Sequence, residues 1–250
     1  MKNAIDLYLD LMKKVLANTI YEDAPIPASW APANEYDELN RRLGVDWPSV
    51  AHTMIGIRRL ENVESCVATV LKDDIPGDFI ETGVWRGGTC IFMRAVLKAH
   101  GVEDRRIWVA DSFQGMPHAD SATYDGDRRL AADRYNDLMA IDLPTVQRNF
   151  ERYGLLDGQV EFLAGWFRDT LPSAPIDRLA ILRLDSDLYE STMETLIHLY
   201  PKLSPGGFVI IDDYHIPVCR EAVHDWRAQF GVDDPIEDID GLGAFWRRSK

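Results

Sequence analysis

Two short runs of aspartates are the residues of this sequence best placed to do chemistry. Asp185-Ser186-Asp187 follows the apolar run Leu179-Ala180-Ile181-Leu182-Arg183-Leu184, and Asp212-Asp213 follows Phe208-Val209-Ile210-Ile211. If these runs are neighbouring parallel strands, their carboxylates meet at one sheet edge. Like charges that close repel, and a bound cation relieves the repulsion. Oxygen ligands with no Cys and no His select a hard cation: Mg2+ first, with Mn2+ or Ca2+ as alternatives. Asp185, Asp212 and Asp213 are the expected ligands, whereas Asp187 reads as the cap of the next helix. A metal here lowers the pKa of a bound hydroxyl and directs it, and a carboxylate of the same cluster can take the proton. The aspartates of the cluster are the first candidates for that base. His215, which follows Asp212-Asp213-Tyr214, is a second candidate, and His52 either lines the site or is a core histidine.

A second constellation lies upstream. Glu81-Thr82-Gly83-Val84-Trp85-Arg86-Gly87-Gly88-Thr89 ends an apolar run and opens a helical pattern. Its glycines permit a tight turn and close approach of a ligand to the backbone. The helix start offers free N–H groups to an anionic group such as a carboxylate. Asp111, 28 residues beyond Gly83, is placed to accept both hydroxyls of a ribose. Trp166 and Phe167 can stack on an adenine or serve as core. The pattern is neither the G-x-G-x-x-G of a dinucleotide fold nor a phosphate-binding loop with Lys and Ser/Thr. It resembles the turn of S-adenosylmethionine methyltransferases.

These residues need a frame. Apolar runs at 78–83, 106–111, 159–164, 179–185 and 208–212 read as strands, with two shorter strands near 235–239 and 244–248. Helical spacing appears at 4–20, 50–71, 88–100, around 131–140 and 144–153, at 189–203 and at about 217–230. On this reading His52, Thr53 and Met54 ride on the long 50–71 helix, and 112–130 is a polar loop. Strands alternating with helices form βαβ units and a mostly parallel sheet, whose ligands bind beyond the carboxyl ends of the strands. The stretch 21–48, with Pro25, Pro27, Pro32 and Pro48, is irregular. The division expected is an N-terminal helical extension and lid over 1–75 and a catalytic domain over 76–250.

Composition narrows the class. The 250 residues fit one α/β domain with a modest extension, and 46% hydrophobic with 27% charged residues argues against disorder. A net charge of −14 disfavours nucleic acid and suits a small-molecule substrate. The three cysteines, Cys66, Cys90 and Cys219, lack zinc or disulfide spacing and read as buried reduced thiols. No apolar run is long enough to span a bilayer, and the N-terminus lacks signal-peptide character, so a cytoplasmic location is expected.

Four stretches are similar to the macrocin O-methyltransferase family: Ala51-His52-Thr53-Met54-Ile55-Gly56, Ile80 to Gly88, Trp108-Val109-Ala110-Asp111-Ser112-Phe113-Gln114-Gly115, and Ser204 to Tyr214. The resemblance covers nearly the whole chain. It implies a class I methyltransferase (Rossmann-like) fold with a seven-stranded, mostly parallel sheet and helices on both faces. It also implies S-adenosylmethionine as donor, Mg2+, a deoxysugar hydroxyl of a glycosylated natural product as acceptor, and a homo-oligomer (dimer or tetramer) with no membrane partner. The implied donor contacts are Met54 with Thr53; Glu81, Gly83, Val84, Trp85, Arg86, Gly87 and Thr89; Asp111 with Ser112; Trp166 and Phe167; and Asp185. The macrolide enzymes read Asp-Gly-Asp-Ser-Tyr where this chain has Asp185-Ser186-Asp187-Leu188-Tyr189. The loop after Gln114-Gly115-Met116-Pro117, which forms a lid over the sugar on this reading, differs too, so no macrolide specificity is carried over. A phenolic acceptor is the alternative with the same metal chemistry. A nucleotide-sugar or NAD-dependent oxidoreductase would need a dinucleotide fingerprint, and a non-catalytic binding protein would have lost the acids.

Overall fold

A computed structural model describes residues 3–249. The sheet order is β3-β2-β1-β4-β5-β7-β6. Its strands are β1 (Asp78–Thr82), β2 (Ile107–Asp111), β3 (Val160–Ala164), β4 (Leu179–Leu184), β5 (Leu203–Ile211), β6 (Glu237–Asp238) and β7 (Ala244–Arg247). The first five are parallel, and β7 runs antiparallel to β5 and β6. Strand order reverses at β1, which lies between β2 and β4, and this is where a doubly wound sheet opens a crevice.

The helices are α1 (Ala4–Leu16), α2 (Glu38–Leu43), α3 (Gly56–Lys72), α4 (Gly88–Ala99), α5 (Asp125–Leu130), α6 (Asn136–Met139), α7 (Leu143–Arg152), α8 (Phe167–Thr170), α9 (Tyr189–Leu199) and α10 (Pro217–Phe230). Successive strand residues point to opposite faces, and both faces are covered. Phe79, Ile107, Val109, Ile181 and Ile210 pack on one side against α1, α3, α4 and α7. Ile80, Ala110, Leu182, Val209 and Ile211 pack on the other against α9 and α10. Among the described residues, no helix is long and apolar enough to cross a membrane.

Several elements differ from the sequence expectation. Helix α1 stops at Leu16, not near Ile20. Helix α3 starts at Gly56 rather than Val50, so His52, Thr53 and Met54 precede it. In the stretch before α3, backbone groups bond across the fold: His52 N–H and Thr53 N–H donate to Leu16 O at 2.9 and 3.3 Å, and His52 O accepts from Gly88 N–H at 3.0 Å. Gly56 itself adopts φ +74°, a turn rather than a helical interior. Residues 112–130 are not a plain loop, since a 3-10 turn (Ala119–Ser121) precedes α5. Helix α9 stops at Leu199, short of Leu203, because a 3-10 turn with Pro201 follows and β5 begins at Leu203. Pro205, Gly206 and Gly207 form a bulge inside β5, and the register jumps from Leu179–Leu203 to Ile181–Phe208.

Candidate active site

The acids meet as the strand pairing requires. Asp185 leaves β4, and Asp212 and Asp213 leave β5, its parallel neighbour. Each of the three offers a carboxylate oxygen within 4.8 Å of the others. Asp212 and Asp213 are buried, and Asp185 lines a cleft at the carboxyl ends of the strands. Burial, and then the charge of Asp212, pushes the Asp185 carboxyl well above the usual carboxylate range. Asp213 is raised by burial and by Asp187 and Asp212. A divalent cation would offset that repulsion, and the donor set is all oxygen, so the residues fit a hard metal ion.

Two buried arginines already brace the cluster. Arg183 on β4 donates to Glu81, to Asp212 and, at 2.8 Å, to Asp185 Oδ2. Arg59 on α3 donates to the other Asp212 oxygen and to Gly44 O, and sits 3.3 Å from Asp240. Each Asp212 oxygen keeps a further lone pair, so both can still serve a cation. Neither arginine belonged to the expected site. Arg183 was detectable in principle, because a charge inside the doubly buried strand Leu179–Leu184 demands ionic partners.

Glu81, expected at the donor, is 1% exposed and faces Arg183 and the Cys90 thiol at 2.9 Å. Asp187 does not cap α9. It adopts φ +57°, and its N–H donates to Asp213 Oδ2 at 3.0 Å. Trp85 and Phe113 also sit at positive φ, so left-handed non-glycine residues occur at the ends of β1, β2 and β4 around the cleft.

Gly83, Asp111, Ser112, Trp166 and Phe167 line the same cleft as Asp185. Asp111 spends one lone pair of each oxygen on the backbone: Oδ2 accepts from Val84 N–H and Oδ1 from Phe113 N–H, both at 2.8 Å. These bonds, with a longer one of 3.4 Å from the Ser112 hydroxyl to Oδ1, fix the carboxylate. Gly88 packs against His52 O so closely that a side chain would overlap it, and Thr89 is buried behind Gly87. Trp85 donates its indole N–H to Leu138 O at 3.0 Å.

Arg86, Thr53, Met54, Val84, Gly87, Thr89 and the two candidate histidines do not line the cleft. Arg86 stacks over the Trp85 ring and donates to Pro48 O, Ala51 O and Ser49 O, clamping the stretch that leads to Thr53-Met54. His52 Nδ1 is 2.7 Å from the Tyr153 hydroxyl, on the α7 side of the molecule. Burial and the Arg86 charge lower its pKa to about 4. Burial and Arg59 also lower His215, so it is neutral at pH 7; it lies within the influence of Asp212. His224 pairs with the Tyr214 hydroxyl at 2.8 Å. Cys66, Cys90 and Cys219 are buried and free, as expected.

A 3-2-1-4-5-7-6 sheet with an antiparallel β7, a glycine turn after β1 and an acid after β2 defines a class I methyltransferase. Residues 5–248 match the model of the macrocin-O-methyltransferase (TylF) family, and the chain belongs to that family. It is an O-methyltransferase, and the family implies S-adenosylmethionine as donor. The chain is 60% identical, over 99% of its length and 95% of the relative's, to the 8-demethyl-8-(2,3-dimethoxy-alpha-L-rhamnosyl)-tetracenomycin-C 4'-O-methyltransferase of Streptomyces olivaceus. It is 55% identical, over 98% of its length and 97% of the relative's, to the mycinamicin III 3''-O-methyltransferase of Micromonospora griseorubida. The solved structure of the O-methyltransferase NovP superposes with a TM-score of 0.93 at 55% identity, covering 98% of this chain and 100% of that one.

Proposed function

We propose that the protein is a metal-dependent O-methyltransferase acting on a deoxysugar hydroxyl of a glycosylated natural product; its relatives are named as O-methyltransferases of a rhamnosyl-tetracenomycin, of mycinamicin III and of demethyldecarbamoylnovobiocin. The observation that carries the metal dependence is the all-oxygen cluster of Asp185, Asp212 and Asp213, with Asp185 facing the cleft that Gly83 and Asp111 also line. A bound Mg2+ would lower the pKa of the acceptor hydroxyl and orient it. Asp185 accepts that proton, being the ligand exposed to the cleft. His215, neutral and near Asp212, is the reserve base, while His52 is paired with Tyr153. The donor supplies an already electrophilic methyl group, so the protein's part is alignment. Asp111 takes the ribose hydroxyls, the glycine turn at Gly83 lets the methionine end of the donor approach the backbone, and Trp166 and Phe167 flank the adenine. Ser112 and Thr89 support these groups. Thr53, packed against Gly88, and Met54 stand behind the turn and support it from outside the cleft, held there by the Arg86 clamp.

Residues 1–75 act as an extension that completes the site, and 76–250 form the catalytic unit. Leu7, Leu11 and Tyr21 stand in solvent at 59, 52 and 83% exposure, which supports burial of this extension in a cytoplasmic homo-oligomer. The net charge of −14 supports a small-molecule acceptor over nucleic acid.

Calorimetric titration with S-adenosylhomocysteine, with Mg2+ and after EDTA tests the reading. Micromolar binding of the donor product is expected, with a separate Mg2+ signal lost in the D212N/D213N double variant. No binding of S-adenosylhomocysteine would refute the donor site. Donor binding with no Mg2+ signal would refute the metal and move the base to His215.

A further inference from the structure

Helix α9 begins without a cap of its own. Its N-cap position is Leu188, which has no acceptor in its side chain. The first two N–H groups of the helix, from Tyr189 and Glu190, donate instead to Asp127 Oδ1 and Oδ2 at 2.8 and 3.0 Å. Asp127 lies on α5, 62 residues before Tyr189, and is 2% exposed. The exchange runs both ways. Glu190 Oε1 accepts from Thr123 N–H at 2.6 Å, from Tyr124 N–H at 2.8 Å and from the Thr123 hydroxyl. The Tyr124 and Tyr189 rings stack beside this exchange, with centroids 4.0 Å apart and planes 15° apart. Two carboxylates, five hydrogen bonds and one ring pair thus join residues 123–127 to the first turn of α9.

Both partners sit where the cleft is built. Asp127, Glu190 and Leu188 line it, and so do Ala119, Ser121 and Ala122 from the segment that Asp127 anchors. The first turn of α9 continues directly from Asp185-Ser186-Asp187, and that loop is held from its other side by the Asp213 carboxylate on Asp187 N–H. A helix N-cap normally lies next to its helix in sequence. Here the cap is delegated to a segment that lines the cleft, so shaping this wall of the cleft and ordering the acid-bearing loop share the same bonds.

We propose that Asp127 is a positioning residue, which couples closure of residues 117–131 over the cleft to the order of the Asp185–Asp187 loop through the start of α9. This rests on the proposed function only for the identity of what the cleft binds. An alanine at 127 leaves two N–H groups without acceptors, whereas asparagine keeps one carbonyl oxygen for one of them and loses the acceptor of the other.

Hydrogen–deuterium exchange on the full chain, with and without saturating S-adenosylhomocysteine, tests the coupling. Without ligand, Asp127→Ala should speed exchange at 123–130 and 188–192 together by roughly tenfold or more, and Asp127→Asn, which keeps one of the two acceptors, by clearly less. With ligand, the parent and Asp127→Asn should gain protection in both segments, and Asp127→Ala should keep protection only at 83–89. If Asp127→Ala fails to fold, Glu190→Ala breaks the reciprocal half and should remove the ligand-induced protection of 123–130. Acceleration of one segment alone, of neither, or equal effects of Ala and Asn would overturn the proposal. Failure of the parent to bind S-adenosylhomocysteine is scored separately by calorimetry. It would strike the donor reading and leave the ligand-free comparison valid.

Discussion

Gly83, at the end of β1, lies against the backbone carbonyl of Asp185, so closely that a Cβ on Gly83 would overlap its oxygen. Its φ of +84° is also a conformation that L-residues with side chains rarely adopt. The glycine thus sets the spacing between the donor turn and the acid loop. Gly83→Ala should cost about 1–3 kcal/mol from the left-handed backbone alone, before the overlap is counted. It should also weaken S-adenosylhomocysteine binding more than a hundredfold. Thermal melts and calorimetry on the one variant check both numbers, and parent-like affinity would show that the two strand ends can part freely.

Arg183 should matter most when metal is absent. It is fully buried and bridges Glu81, Asp185 and Asp212. Arg183→Met leaves Asp212 with Arg59 and removes the arginine from Glu81 and Asp185, and removing one partner of a buried ionic set costs about 3–5 kcal/mol. A divalent cation then replaces part of the lost charge. The increase in melting temperature on adding Mg2+ should therefore be larger in Arg183→Met than in the parent, as scanning calorimetry with Mg2+ and with EDTA would reveal. Equal increases would mean that the arginine and the cation do not share the same carboxylates.

Asp185→Asn separates chemistry from donor binding. The amide keeps the shape and one oxygen but cannot accept the acceptor's proton, so turnover should fall by at least about a hundredfold, the scale of general-base catalysis. S-adenosylhomocysteine should still bind within a few-fold of the parent, because the turn at Gly83 and Asp111 is a separate element. Near-normal turnover in a radiolabelled methyl-transfer assay would remove Asp185 from the base role.

The strands, their order of use and the acid cluster were legible because they follow from local patterns. The doubly buried runs Leu179–Leu184 and Phe208–Ile211 mark adjacent parallel strands, and the acids just beyond them must then meet. What was not legible depended on partners distant in sequence. Asp187 reads as a cap from its position before Tyr189, yet the cap comes from Asp127, and no local rule points there. Glu81 has the position of a donor-binding acid, but its environment is set by Arg183, whose own role shows only once β1 and β4 are paired. The start of α3 was misplaced because the apolar spacing of 50–71 continues through residues whose backbone bonds run to Leu16 and Gly88. Periodicity records which side chains face the core and does not record where the backbone groups find partners.

His52 gives stability a pH dependence of known sign. Its pKa is about 4 in the folded protein and 6.5 in an exposed chain. Between these values the unfolded chain binds a proton that the folded one refuses, so stability falls as pH drops from about 6.5 towards 4 and levels off below. The steepest slope from this one group is about 1.4 kcal/mol per pH unit. The acids of the cleft titrate in the opposite sense, because their folded pKa values are raised, so the parent's curve alone mixes the two effects. Comparison with His52→Gln isolates the histidine. The variant loses the bond to Tyr153 and should be less stable at pH 7.5, by about 1 kcal/mol. That gap should close, and can reverse, as pH falls to 4.5. Urea denaturation of both proteins at pH 7.5, 6.0 and 4.5 measures it directly. A gap that stays constant across the three would mean that His52 takes up its proton as readily in the folded protein as in the unfolded chain.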